Sequence, residues 1–268
     1  MSGAAAAERQ WRRFTPRVRL ARYATYLGSV AAVVWSARHV EVIPEFLADA
    51  PAQSMDLFRR MWPFDWALYP KTVHAALIET LHIATLGTLI AIVLAVPLAL
   101  LAARNNTRNR TLNMVATYVF VASRSVNSLI WALLFVAVFG PGALAGVLSI
   151  GLRSVGFVGK LLAEAIEEAR PGPIEALAAT GAPFASLLAK GYWPQVEPSF
   201  WSVAMFRWDI NVRESAVLGL VGAGGIGVAL EAAMNNLYWD QVGLILAVIF
   251  AVVIATEIVT SAIRSRII

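Results

Sequence analysis

TVHAALIETLHIATLGTLIAIVLAVPLALLAA, running from Thr72 to Ala103, carries one acidic residue, Glu79, and no Lys or Arg. It is longer than the roughly 20 apolar residues an α-helix needs to cross the hydrocarbon core of a bilayer. In lipid, backbone N–H and C=O groups must be satisfied internally, which a single helix achieves and a single strand does not. The fold is therefore read outward from a membrane-spanning helix. Of 268 residues, 59% are hydrophobic and 15% charged, and the mean hydropathy is +0.66. Soluble domains average about 45–50% apolar and about 25% charged, so a soluble domain is excluded. Without cysteine, the chain has no disulfide, no thiol nucleophile and no cysteine-ligated metal.

Five further apolar segments flank this one. Tyr23 to Ala37 follows a basic head containing Arg9, Arg12, Arg13, Arg17, Arg19 and Arg22. It reads as an uncleaved first helix, because Trp35-Ser36-Ala37-Arg38 makes a poor signal-peptidase site. The third segment runs from Thr111 to Phe139 and ends at Gly140-Pro141-Gly142, a helix-breaking tripeptide. The fourth covers Ala143 to Ala163, the fifth Glu197 to Leu220 and the sixth Trp239 to Ile263. The expected fold class is an all-α membrane protein of about six transmembrane helices. Residues 1–71 hold the basic tail, first helix and an outer loop, and residues 72–268 form a five-helix core.

The 22 Lys and Arg exceed the 17 Asp and Glu, a net charge of +5. Most of these cations punctuate apolar runs, so they report membrane orientation rather than affinity for nucleic acid. Basic residues crowd the N-terminal tail, the 104–110 turn (Arg104, Arg108, Arg110) and the C-terminus (Arg264, Arg266), while 140–142 and 221–238 contain none. Arg38, Arg59, Arg60 and Lys71 of the 38–71 loop are offset by Glu41, Glu45, Asp49, Asp56 and Asp65. Both termini and the 164–195 segment are thereby expected on the cytoplasmic side. The outer 38–71 loop, with Met55, Leu57, Phe58, Met61, Trp62, Phe64, Trp66, Leu68 and Tyr69, suits a helix lying at the membrane interface.

The cytoplasmic segment is the most informative connection. Pro173 is expected in the first turn of a short helix whose positive end Glu175 complements, and Gly181 is expected to stop it. Pro183 then starts a second short helix ending near Lys190, before Pro194 and Pro198 return the chain to the membrane. Two short helices meeting at a corner form a knob, which serves either as a connector or as a docking element.

Glu175-Ala176-Leu177-x3-Gly181, followed by Gly191-Tyr192-Trp193-Pro194, resembles the EAA loop of ABC importer permeases, E-A-A-x3-G-x9-I-x-L-P. Glu175, Ala176, Gly181 and Pro194 match in register; Leu177 replaces the second alanine, and Gly191 and Trp193 replace the aliphatics. The chain is most similar to the phosphonate-type branch, through Trp131 to Val136, Gly159 to Glu167, Pro171 to Ala176, Ile210 to Arg213 and Leu218 to Gly227. The resemblance implies a type I importer permease fold in a bacterial inner membrane, with the loop seated on a cytoplasmic ATPase dimer that carries ATP and Mg. It further implies delivery of phosphonate, phosphate or phosphite by an extracytoplasmic binding protein, and a second permease copy or paralogue completing the path.

Gly222, Gly224 and Gly227 also satisfy G-x-G-x-x-G, with Asp240 at the place of a ribose-binding acid. That fingerprint has meaning only between a strand and a helix, and here it follows an intramembrane helix. A tight re-entrant turn packed within protein, including Gly225, is expected instead. No G-x-x-x-x-G-K-[ST] occurs, so ATP hydrolysis is assigned to another chain, and this one has no cofactor or metal of its own.

Charged residues inside apolar segments are costly, so each needs a partner or a task. Asp209 and Arg213 stand four apart, the spacing of a helical ion pair. Arg207, Asn211 and Glu214 form a second stripe whose ends, about 10 Å apart along the axis, are expected not to touch. Arg207 then either pairs across a dimer or faces an anion, since guanidinium groups can replace the water of an oxyanion. Arg124, Ser125, Asn127, Arg207, Asn211 and Arg213 are the candidate path residues. His74, Glu79 and His82 fall near one another on a helix but read as interfacial polar residues rather than a metal site. A secondary carrier using Glu79, Asp209 and Glu257 as titrating groups is the alternative, and no nucleophile–base constellation suggests an enzyme.

Overall fold

The computed structural model describes residues 14–40, 43–107 and 109–267. Arg9, Arg12, Arg13, Glu41 and Arg108, which enter the charge count, lie outside the described residues. The chain divides into two compact units, Met1–Asp56 and Leu57–Ile268.

The first unit holds α1 (Pro16–His39) and most of α2 (Pro44–Met61). Pro16 sits at the first helical position of α1, where its missing N–H costs nothing. Arg38 and His39 complement the negative C-terminal end. The residues of α1 are exposed throughout. Helix α2 is the amphipathic helix expected in the 38–71 loop, with Phe46, Leu47 and Phe58 exposed. Its last turn belongs to the second unit.

In the second unit a wide turn, Tyr69–Val73, leads into α3 (His74–Ala102), a helical run of 34 residues. Then come α4 (Arg110–Ser125), α5 (Ser128–Phe139), α6 (Ala143–Glu167) and α7 (Pro171–Ala179). A single turn, α8 (Phe184–Ser186), continues through a wide-turn segment, Leu187–Tyr192, into α9 (Trp193–Leu218). The unit ends with α10 (Ile226–Asn235) and α11 (Trp239–Ile267). Among the described residues, three stretches are each long and apolar enough to cross a membrane: Tyr69–Ala102, α6, and α11 as far as Arg266. Two bent pairs, α4 with α5 and Phe184–Val221 with α10, bring the number to five. Helix α1 is the remaining expected segment and is less apolar, because Arg17, Arg19, Arg22 and Arg38 fall within it.

The third apolar segment departs from expectation. It is two helices at 87°, broken where Val126 and Asn127 are extended and the Asn127 side chain accepts from the Leu129 N–H. The break falls in the polar run Ser123-Arg124-Ser125-Val126-Asn127-Ser128, whose side chains read equally as donors lining a path inside a single span. The second helix of the cytoplasmic knob also differs, since it continues into α9 rather than ending near Lys190. Helix α7 begins at Pro171, so Glu175 lies beyond its first turn and does not act on the helix end as expected.

Helix α6 is the centre of the unit. Small residues of α3 (Ala84, Gly87, Ala91, Ala95, Ala99) recur every three or four positions and are buried. This stripe lets the backbones of α3 and α6 approach closely, the usual substitute for a hydrophobic drive within lipid. One end of the bundle is closed by Ala99, Phe120, Leu162, Ile166, Tyr192 and Val196, from α3, α4, α6 and the start of α9. The opposite end is closed by Ile226, Leu230, Val242 and Leu244 around α10 and α11. The α7 segment belongs to the first end and the glycine loop to the second.

Candidate translocation path and coupling segment

Between the two closed ends lies a run of polar side chains, an arrangement that must be fully hydrogen-bonded to persist in apolar surroundings. Asn211 of α9 is 0% exposed; its Nδ2 donates to Thr88 Oγ1 of α3 at 2.7 Å, and its Oδ1 accepts from Ser154 Oγ of α6 at 3.2 Å. Arg207, also buried, donates from Nε to the same Ser154 oxygen at 2.8 Å and lies over the Phe157 ring at 5.6 Å. Its Nη2 is 3.4 Å from Glu214 Oε2, and Arg153 Nη1 of α6 binds Glu214 Oε1. The spacing argument that kept Arg207 and Glu214 apart is therefore corrected. Two turns of axial rise separate their Cα atoms, but both long side chains lean into the gap.

Asp209 and Arg213 form the expected i,i+4 ion pair. Asp209 is buried and also accepts from Thr256 Oγ1 of α11 at 3.3 Å, whereas the Arg213 side chain is 45% exposed. Arg124, Ser125 and Asn127 are not part of this network. Asn127 caps α5, and Ser125 Oγ donates to Ala122 O at 2.9 Å, so both bond locally. Arg124 instead lines a groove with Arg104 and Lys160 toward the α7 end. An adjoining groove of about 650 Å³ carries Arg104, Arg110, Thr107, Asn113 and Thr117. Lys160 there is paired with Glu164 at 3.3 Å.

Sequence reasoning did not single out Thr88 or Ser154, the hydroxyls that join α3, α6 and α9. The signal was a hydroxyl among the small buried residues of α3 and of α6, such as Gly151 and Gly156 beside Ser154, too common a feature to stand out. Arg153 and Lys160 fall inside the fourth apolar segment, and nothing in the sequence points to their partners.

The knob is built around Gly181, whose φ of +75° is the left-handed conformation favoured by glycine. Its N–H donates to Ala178 O at 3.0 Å and closes α7. Glu175 and Ala176 are exposed, while Ile174 and Leu177 are half-buried. A Cβ at Gly191 would lie 3.4 Å from each of Ile174 Cγ1 and Leu177 Cδ1. Gln195 ties the knob to α9, accepting from the Arg170 N–H at 2.9 Å and donating to Gly191 O at 2.7 Å. Pro194 lies in the first turn of α9 and is exposed.

At the opposite end Gly222, Gly224 and Gly225 have φ of +81°, +82° and +76° and join α9 to α10. Gly224, Gly225 and Gly227 are buried. A Cβ at Gly224 would stand 2.8 Å from both Ala143 N and Glu79 Oε1, and the Ile226 N–H donates to Thr80 Oγ1 at 2.7 Å. The loop follows a helical turn rather than a strand, so the dinucleotide geometry is missing. Among the described residues no three His, Asp or Glu side chains are placed to share a metal ion. Glu79 abuts the glycine loop, Asp209 is ion-paired, and Glu257 is exposed on α11. No hydrogen bond or ion pair links the three.

Residues 95–266 match the model of a family described as the binding-protein-dependent transport system inner membrane component. The chain is 40% identical to the phosphate-import permease protein PhnE of Mycolicibacterium smegmatis, over 87% of this chain and 44% of that one. It therefore spans less than half the length of that relative. It is 44% identical to the phosphite transport system permease protein PtxC of Stutzerimonas stutzeri, over 71% of this chain and 69% of that one. Among solved structures, an amino acid ABC transporter superposes with a TM-score of 0.63 at 20% identity, covering 75% of this chain and 96% of that one. An inward-facing MetNI methionine ABC transporter gives 0.63 at 21% identity, covering 73% and 96%. The fold is thus that of a type I ABC importer permease.

Proposed function

The chain belongs to the family of binding-protein-dependent transport system inner membrane components, and from that premise we propose that it is the permease subunit of an ATP-driven importer of phosphorus oxyanions. Its substrates are phosphonate, phosphite or phosphate, the latter two named in its relatives. The observation that carries the reading is the exposed Glu175–Ala176 face of α7 beside the Gly181 turn, which joins α7 to a segment continuous with α9. A cytoplasmic ATPase dimer, carrying ATP and Mg, docks on this face. Because α8 runs into α9 without a break, movement of the knob is transmitted to the helix bearing Arg207, Asn211 and Arg213. Two copies, or one copy and a paralogue, enclose the path, and an extracytoplasmic binding protein releases the anion at the glycine-loop end. Both termini are then cytoplasmic.

Guanidinium groups suit this cargo, because their planar donors bond oxyanions in bidentate fashion and stay charged at any working pH. In this reading ATP chemistry belongs to the partner, and this chain moves the anion between its two ends.

Vesicles containing the permease and its ATPase are expected to accumulate phosphite, phosphate or methylphosphonate only with internal ATP and the external binding protein. Accumulation driven by an ion gradient without ATP would favour the secondary-carrier alternative. Gly181→Val strains the left-handed turn and is expected to abolish co-purification of the ATPase; retention of normal binding and coupled hydrolysis would refute the docking role.

A further inference from the structure

We propose that Glu214 is a resident stand-in for the transported anion, occupying the arginines of the path until an oxyanion exchanges with it. The inference rests on the oxyanion-importer reading above. Each Glu214 oxygen binds a different guanidinium, Oε1 that of Arg153 on α6 and Oε2 that of Arg207 on α9. A tetrahedral phosphorus oxyanion presents the same two-oxygen edge along with further oxygens.

Two further ion pairs among the described residues, one beside this cluster and one in the groove toward α7, are of a different kind. Asp209–Arg213 and Lys160–Glu164 are one-to-one pairs, each within one helix, so they survive any movement between helices. The Glu214 cluster has two cations for one carboxylate and spans α6 and α9. It is also reachable: the Arg153 and Glu214 side chains are 28% and 19% exposed, while Arg207 is 5% exposed. Phe157, whose ring lies beneath Arg207 and 6.0 Å from the tilted ring of Phe206, supplies an apolar wall.

Exchange solves two problems of moving an anion through an apolar interior. Arginines left without a counter-charge there are strongly destabilised, and Glu214 keeps them paired between transport events. A dianion that displaces Glu214 neutralises both cations, yet it feels the repulsion of the displaced carboxylate. That repulsion keeps affinity modest, as conduction requires. Rearrangement of α6 against α9 then returns Glu214 to the cations as the anion leaves.

The test uses the purified permease–ATPase assembly and follows thermal unfolding with phosphite, phosphate or methylphosphonate, against chloride at equal ionic strength. Glu214→Gln is expected to unfold at lower temperature in chloride and to be restored by the oxyanion. Its half-saturating concentration should be roughly tenfold lower than for the unmodified assembly, the scale of one lost repulsive or competing contact. Arg153→Gln combined with Glu214→Gln should lose that gain. Destabilisation that no oxyanion relieves, or unchanged anion dependence, overturns the proposal. If Glu214→Gln does not assemble, Glu214→Asp, too short to bridge both arginines, is judged by the same criteria with a smaller shift. Failure of the unmodified assembly to take up any of the three anions with ATP refutes the importer reading itself. Normal uptake with no tightening in the variants refutes only the stand-in role.

Discussion

Leu177 and Gly191 exchange bulk across the corner of the knob. The family pattern places a small alanine at the first position and an aliphatic side chain at the second, and here the sizes are reversed. The half-buried Leu177 reaches the space that a side chain at position 191 would fill, with its Cδ1 3.4 Å from the ideal Cβ position. The two departures from the loop pattern thus meet at one corner, where Leu177 stands within contact distance of a side chain beginning at position 191. Leu177→Ala is expected to cost about 1–2 kcal/mol, below a full core truncation because the site is half-buried. Gly191→Ile alone should clash with Ile174 and Leu177, and the double variant should regain stability and ATPase binding. Purely additive losses in the double-mutant cycle would show that the two positions do not share this space. Other residue-scale features divide by the same logic. The Asp209–Arg213 pair was legible because it depends on helical spacing alone. Glu214 was not, because its partners depend on side-chain reach and on a second helix.

At the scale of elements, long apolar runs announced α3, α6 and α11, and Gly140-Pro141-Gly142 announced the gap before α6. The 87° break between α4 and α5 falls in the polar run Ser123-Arg124-Ser125-Val126-Asn127-Ser128, which reads equally as donors lining a path within one span, so its role as a hinge with Asn127 as N-cap emerges only from the fold. Helix packing was also invisible in the periodicity, because helices in lipid approach through small residues rather than a hydrophobic face. Gly156 shows what that packing demands. A Cβ there would overlap the Phe120 carbonyl oxygen and stand 3.0 Å from Ser123 Oγ, and a backbone carbonyl does not swing aside. Gly156→Val is therefore expected to separate α4 from α6 at a cost of about 1–3 kcal/mol or more, seen as a lower unfolding temperature in detergent. Gly172→Ala is the control, because nothing lies within 4 Å of its added Cβ and alanine favours a helix by about 0.5–1 kcal/mol. Equal behaviour of the two variants would mean that the α4–α6 approach is not stability-limiting.

At the scale of the whole molecule, charge distinguishes one end of the second unit from the other. Arg104, Arg110, Arg170 and Lys190 gather at the end that carries α7, while the stretch from 221 to 238, including the glycine loop and α10, has neither Lys nor Arg. Cytoplasmic loops retain basic residues because Lys and Arg near a span resist translocation, and this asymmetry is what supports the proposed orientation with the α7 end in the cytoplasm. The sequence carries it fully, since it needs only loop composition and the order of spans. The absence of native cysteine makes it directly measurable, because each introduced thiol is the sole one. Asn236→Cys, exposed beyond α10, should react with a membrane-impermeant maleimide added to intact spheroplasts. Ala178→Cys, exposed on α7, should react only from the cytoplasmic side, in inverted vesicles, and less so once the ATPase is added. Labelling of position 178 from outside would invert the topology. Labelling from inside that the ATPase leaves unchanged would keep the topology and move the docking surface away from α7.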